Sequence, residues 1–224
     1  MTSRAATILV ALSVLAGGWG LAGCSGAEPP HQMMMAGPLV PNADNPPATC
    51  AVPTGPWGFS VGREQQPWTV SGCGGESYAL YNDDFCRATF TVVVHSEPWC
   101  GACLVDAPSM RANLIDPYAA MDVRVLEVLQ QTLSYDTVTP ATCDAWAAEY
   151  DSAGYVFMDP MRNLSTYTYR MGVDETPPGS HTEALPTVNI YDAAGTLVFH
   201  HEGATNHWRD ITVALDGLLA GHTP

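Results

Sequence analysis

Thr89-Phe90-Thr91-Val92-Val93-Val94-His95 leads, after a short connection, into Trp99-Cys100-Gly101-Ala102-Cys103. The first stretch is rich in β-branched residues and largely apolar, which reads as a buried central strand. A Cys-x-x-Cys placed just beyond it falls at a strand-to-helix turn. There the first thiol meets the positive end of a helix dipole, which favours thiolate over thiol. Thiolate is the species that attacks disulfides, so the order of these two stretches points to redox chemistry.

Downstream, Cys100 or Cys103 to Ile115 reads as a helix with Leu104, Ala107, Met110 and Leu114 on one face. Asp116-Pro117 ends it or bends it. Val123 to Leu129 is a second buried strand. Thr139-Pro140 supplies an N-cap and an N1 proline for a helix to about Ala153. Tyr155 to Met158 is a short extended segment, and Asp159-Pro160 opens another helix to about Met171. Thr187 to Tyr191 and Thr196 to His201 flank Asp192-Ala193-Ala194-Gly195, a hairpin turn. Asn206 is expected to cap a last helix to about Ala220. Upstream, Phe59–Val61, Trp68–Val70 and Ser77–Tyr81 read as short strands between Gly and Pro turns. The sum is an α/β sandwich around a mixed central sheet, with an N-terminal β extension.

The first fifty residues read differently. Arg4, an apolar stretch from Ala5 to Ala16 and a run of small residues make an export signal, too short to span a bilayer. Leu21-Ala22-Gly23-Cys24 resembles the bacterial lipobox, which implies cleavage before Cys24 and a lipid on that cysteine. Ser25 to Thr49 is rich in Pro and Gly and shows no periodicity. The expected organisation is a signal peptide at 1–23, a lipid-anchored tether at 24–55 and a folded domain at 56–222. Acyl chains would then hold the protein on a membrane without a spanning helix. His31-Gln32-Met33-Met34-Met35 in the tether offers soft copper ligands, but a tether tolerates Met without purpose.

The chain of 224 residues carries a formal charge of −15 and contains no Lys. That excess argues against nucleic acid and against docking on anionic lipid. Of seven cysteines, Cys24 goes to lipid and Cys100 and Cys103 form the active pair. Cys50, Cys73, Cys86 and Cys143 remain as candidates for structural disulfides in an exported chain. Four cysteines allow three pairings; Cys73 with Cys86 across a hairpin, and Cys50 with Cys143, is the expected one. A single Cys-x-x-Cys does not make a zinc signature.

The order strand, Cys-x-x-Cys, helix, strand, helix, Pro-bearing strand, hairpin, helix resembles the thioredoxin fold, a three-layer sandwich. The closer likeness is to the TlpA/ResA-like thiol-disulfide oxidoreductases, exported and membrane-anchored. Trp99-Cys100-Gly101-Ala102-Cys103, Asp106-Ala107-Pro108 and Leu185-Pro186-Thr187 carry it. The resemblance implies a cis proline at 186, with Leu185 beside Cys100 pairing its backbone with an incoming peptide. Leu185, Gly101 and Ala102 are the expected substrate-facing residues. Two departures stand out: the usual Gly-Pro between the cysteines is Gly101-Ala102, and the acid that cytosolic thioredoxins bury six residues before the first cysteine is Val94. Proton handling must therefore use another group or solvent.

Cys100 is expected to attack and Cys103, one turn inside, to resolve the mixed disulfide. Trp99 offers a shield and a flat docking face. Asp106, three residues past Cys103, shares its helix face and is expected to carry the Cys103 proton. Together Cys100, Cys103, Asp106, Pro186 and Trp99 make the expected catalytic set. No organic cofactor is called for. The expected partners are disulfide-bearing exported proteins and a redox protein that resets the pair, met in the periplasm or another extracytoplasmic space. The resemblance implies reduction, for cytochrome c or metal-site assembly; an oxidising role stays open, since direction depends on potential and partner. Two other readings compete: a Sco-type copper protein using Cys100, Cys103 and His181, and a non-catalytic module that keeps the fold.

Overall fold

The computed structural model describes residues 51–58, 60–163 and 184–221. Seven strands form one sheet in the order β2-β1-β5-β4-β3-β6-β7. The centre is built from β3 (Phe90–His95), β4 (Val123–Leu129) and β5 (Val156–Met158), which run parallel. β6 (Thr187–Asp192) and β7 (Leu197–Glu202) add antiparallel on one side. β1 (Thr69–Gly72) and β2 (Ser77–Ala79) add antiparallel on the other, giving the N-terminal extension. The β6–β7 turn needs a glycine: Gly195 has φ +80°, and a Cβ there would run into the Tyr81 ring.

Alternation along the central strands sends side chains to two cores. On one face Val93, Leu126, Val128 and Phe157 meet Trp68, Tyr78, Leu80 and Phe85. Phe85 belongs to α1 (Asp83–Arg87), a short helix capped by Asn82 that the sequence reading did not anticipate. On the other face Val92, Val94, Val125 and Ile190 meet Met110, Leu114, Ile211 and Leu215. Beside these, Leu129, Val156 and Met158 pack with Cys100, Cys103, Ala107, Cys143 and Trp146. The helices over this face are α2 (Gly101–Asp106), α3 (Pro140–Glu149) and α4 (Arg209–Leu219).

Several boundaries differ from the sequence reading. The helix expected over 100–115 is not continuous. α2 passes into a 3-10 turn at Ala107–Ser109 and a π-helical turn at Arg111–Ile115. Pro108 has no N–H to return to the Leu104 carbonyl, so regular pairing stops there. Cys103, Ala107, Met110 and Leu114 form the buried face; Leu104 is exposed, 41 % of its surface reaching solvent. α3 begins where Thr139 caps it but ends at Glu149, short of Ala153. Residues 60–63 form a turn rather than a strand. Asn206 is not the cap of α4: it has φ +52°, and Thr205 Oγ1 accepts the Trp208 N–H instead. Only residues up to 163 of the helix expected after Asp159-Pro160 are described.

The expected disulfide pairing is also corrected. Cys73 is bonded to Cys143, with Cα atoms 5.3 Å apart. Cys73 directly follows β1, which lies against β5, and α3 packs on β5, so the two cysteines converge. The β1–β2 hairpin closes within residues 72–76, leaving Cys86 beyond it on α1. Cys86 is itself disulfide-bonded. Cys24 and Cys50 lie outside the described residues, as do the signal and most of the tether. Among the described residues no helix is long and apolar enough to cross a membrane.

Candidate active site

Cys100 sits where β3 hands over to α2. Its backbone is extended (φ −82°, ψ 112°), which makes it the N-cap of the helix, and its Sγ accepts the Cys103 N–H at 3.2 Å. The first turn of α2 thus aims an N–H at the Cys100 sulfur, an arrangement that favours negative charge there. Cys100 and Cys103 are joined in a disulfide, with Cα atoms 5.2 Å apart. Cys100 retains 7 % of its surface and Cys103 1 %, so Cys100 is the more accessible residue of the pair. Gly101 is exposed, and a Cβ there would touch nothing within 4 Å. Ala102 is half-buried.

The peptide bond between Leu185 and Pro186 is cis. Leu185 packs against the cluster that holds both cysteines. The Gly203 N–H donates to the carbonyls of Ala184 and Pro186, at 2.8 and 3.0 Å, which pins this loop to the far end of β7. Residues more than eighty positions apart in sequence therefore meet at the sulfurs.

Trp99 is held from two sides. Its indole N–H donates to Gln131 Oε1 at 3.2 Å, and its ring stacks on Tyr135, centroids 5.0 Å apart. Gln131 also donates to the Tyr135 carbonyl. The loop after β4 is thus fastened beside the cysteines, leaving Leu133 and Tyr135 exposed. A groove of about 510 Å³ opens between this loop and α3, lined by Pro98, Leu104, Leu133, Ala145, Trp146 and Tyr150.

Asp106 is buried, and its carboxylate accepts from Thr205 N (3.0 Å), Thr205 Oγ1 (2.8 Å) and His207 N (3.3 Å). The Trp208 indole donates to the Asp106 carbonyl at 2.9 Å. Asp106 accordingly fastens α2 to the approach of α4.

Two acids near the motif escaped the sequence reading. Glu97 is buried; it accepts from the backbone of Gln130 and Gln131 and lies 3.1 Å from His95 Nε2. It fixes the chain just before the motif to the end of β4. Glu127, in the middle of β4, is fully buried, and neither of its oxygens accepts a well-formed hydrogen bond. Burial pushes its carboxyl up from 4.5 to about 7, an effect that the nearby Trp146 indole and Ser96 hydroxyl offset in part. The available signal was an acid interrupting an otherwise apolar strand. His181 lies outside the described residues. Among the described residues no group of three His, Cys, Asp or Glu side chains is arranged to hold a metal ion.

No family model matches the chain, and no curated protein matches it. Solved structures do. A putative thiol:disulfide interchange protein DsbE from Chlorobium tepidum superposes with a TM-score of 0.54 at 17 % identity, over 71 % of this chain and 98 % of that one. A putative protein disulfide isomerase from Bacteroides thetaiotaomicron gives 0.55 at 12 % identity, over 72 % and 91 %. The thioredoxin domain of a thiol-disulfide oxidoreductase from Bacteroides vulgatus gives 0.51 at 12 %, over 69 % and 96 %. The chain has a thioredoxin-like fold.

Proposed function

We propose that this chain is an extracytoplasmic thiol-disulfide oxidoreductase that reduces disulfides in exported proteins, held at the cell envelope by lipid on Cys24. The observation that carries this reading is the placement of Cys100. It is the helix-capping and more accessible sulfur of a bonded pair, and a cis-proline loop packs against that pair. The fold of the named oxidoreductases supports it.

In the reduced protein the Cys100 thiolate attacks a partner disulfide, and the partner's distal sulfur leaves and takes a proton from solvent. Cys103 then attacks Cys100 Sγ, the bond to the partner breaks, and the pair closes. Two electrons pass from the cysteine pair to the partner, so no organic cofactor is needed. Leu185 supplies backbone for an extended peptide beside the sulfurs. Gly101, Ala102 and the Trp99–Tyr135 stack form the surface around them. A second redox protein reopens the pair.

The test is reduction of a disulfide-bonded protein by the pre-reduced full chain. Cys100→Ser should abolish turnover, and Cys103→Ser should accumulate a mixed disulfide that names the partner by mass spectrometry. Undiminished turnover in Cys100→Ser overturns the reading. A reduction potential near the ~ −120 mV of a strong oxidant such as DsbA would reverse the direction.

A further inference from the structure

Glu127 occupies a place that packing alone does not explain. β4 pairs with β3 so that Glu127 stands directly opposite Val94, and with β5 so that it stands opposite Val156. Val125 and Leu129, two residues away on either side, point to the sheet face beneath α2 and α3, and Glu127 shares that face. Its neighbours Trp146 and Val156 pack in the same cluster as Cys100 and Cys103. A carboxyl buried with no well-formed hydrogen bond costs stability that an apolar residue would not. A buried cysteine that must lose a proton in order to attack needs an acceptor it can reach without bulk water. The two requirements meet under α2.

Resting on the thiol-disulfide reading above, we infer that Glu127 is the buried proton acceptor for Cys103. In the mixed disulfide, the Cys103 S–H bond breaks and its proton passes to the Glu127 carboxylate. The Cys103 thiolate bonds to Cys100 Sγ, and the Cys100–partner S–S bond breaks. The partner leaves as a thiolate and is protonated by solvent. The pair is oxidised by two electrons and the partner's disulfide is reduced. When the pair is reduced again, the proton returns to Cys103. Asp106, the acid on α2, already has its oxygens committed to Thr205 and His207.

The groups around Glu127 leave it this role. From α2, Cys103 packs in the cluster that also holds Trp146 and Val156, the neighbours of Glu127. From α3 it is faced by Tyr150, whose hydroxyl is raised first by burial, then by Glu149 and by Glu127 itself, and by Cys143, closed in a disulfide. β3 presents Val94, the residue after β3 is Ser96, and β5 presents Val156 and Met158, none of which titrates. Glu97 is turned toward His95 and the backbone of Gln130 and Gln131.

The test compares the full chain with Glu127→Gln, nearly identical in shape. Resolution of a preformed Cys100 mixed disulfide with glutathione is timed from pH 5 to pH 9. The wild-type rate should show a titration step near neutrality. Glu127→Gln should lose that step and slow about tenfold or more at pH 7, while alkylation of Cys100 by iodoacetamide keeps its rate. An unchanged pH profile in Glu127→Gln overturns the inference and leaves the oxidoreductase reading standing. A second measurement needs no variant: the Glu127 carboxyl, followed by carbon NMR in the oxidised and reduced protein, should titrate at different pH in the two states. Identical titration in both overturns the inference. A redox-dependent titration in a protein that reduces no disulfide would sustain the coupling and overturn the oxidoreductase reading.

Discussion

At the scale of single residues the site is a contest between burial and charge. Cys100 and Glu127 lie in the same part of the fold but resolve it in opposite ways. Cys100 sits at the mouth of a helix, with an N–H aimed at its sulfur, and is suited to carry charge. Glu127 lies on a strand with no well-formed donor at either oxygen, and burial raises its carboxyl to about 7. The sign of its effect on stability follows. Between an unfolded value near 4.5 and a folded value of about 7, the folded chain keeps a proton that the unfolded chain releases. Stability is therefore fully present below 4.5 and falls as pH rises through 7. At about 1.4 kcal/mol per pH unit the loss is a few kcal/mol. Urea denaturation should find Glu127→Gln close to wild type at pH 5 and more stable by roughly 2–3 kcal/mol at pH 8. Equal stability at pH 8 would mean that the carboxyl ionises there without cost.

At the scale of elements, legibility followed local chemistry. Val123–Leu129 could be read because five of its seven residues are Val or Leu, despite Arg124 and Glu127. Thr139-Pro140 announced α3 because a cap and an N1 proline act within one turn. Pro186 was found through the resemblance that Leu185-Pro186-Thr187 carries, and its peptide bond is cis as that resemblance implied. What escaped was set at a distance. The break after α2 depends on how Pro108 is accommodated over the sheet, and it gave Leu104 a solvent position that periodicity had assigned to the core. Glu97, Gln131 and Tyr135 form a brace only once β3 and β4 lie side by side. The start of α4 was misplaced for the same reason. The helix begins at Arg209, after a turn in which the Thr205 hydroxyl accepts the Trp208 N–H and donates to Asp106 across 99 positions of sequence. With the backbone N–H groups of Thr205 and His207 and the Trp208 indole, this hydroxyl clamps α2 to the last helix. Thr205→Val keeps the shape and removes both bonds of that hydroxyl. The variant should lose roughly 2–3 kcal/mol by urea denaturation. Hydrogen exchange should quicken first at the amides of residues 208–212, since their helix start is what the hydroxyl holds. A uniform change across the sheet would argue that the clamp stabilises the whole domain rather than this junction.

At the scale of the molecule, two disulfides close on one cluster with opposite duties. Cys100–Cys103 spans three positions and constrains almost no chain. Cys73–Cys143 spans 70 positions and binds the N-terminal ribbon of β1 and β2 to α3, the helix that borders the active-site groove. Cross-linking a loop of that length removes much of the unfolded chain's freedom, worth about 2–4 kcal/mol in typical cases. Exposure does not divide them: Cys73 is partly exposed, whereas Cys100, Cys103 and Cys143 are buried. The start of α2 stabilises the Cys100 thiolate and so favours the reduced form of its pair, so the Cys100–Cys103 bond should yield first. Graded dithiothreitol followed by alkylation and peptide mapping should label Cys100 and Cys103 while Cys73 and Cys143 stay joined. Labelling of the second pair should appear only as denaturant unfolds the domain. The double variant Cys73→Ser, Cys143→Ser should then lower the urea midpoint while the pre-reduced protein still reduces disulfides, because the removed bond holds the scaffold and takes no part in the exchange. Loss of exchange in a variant that remains folded would instead make this second disulfide part of the electron path.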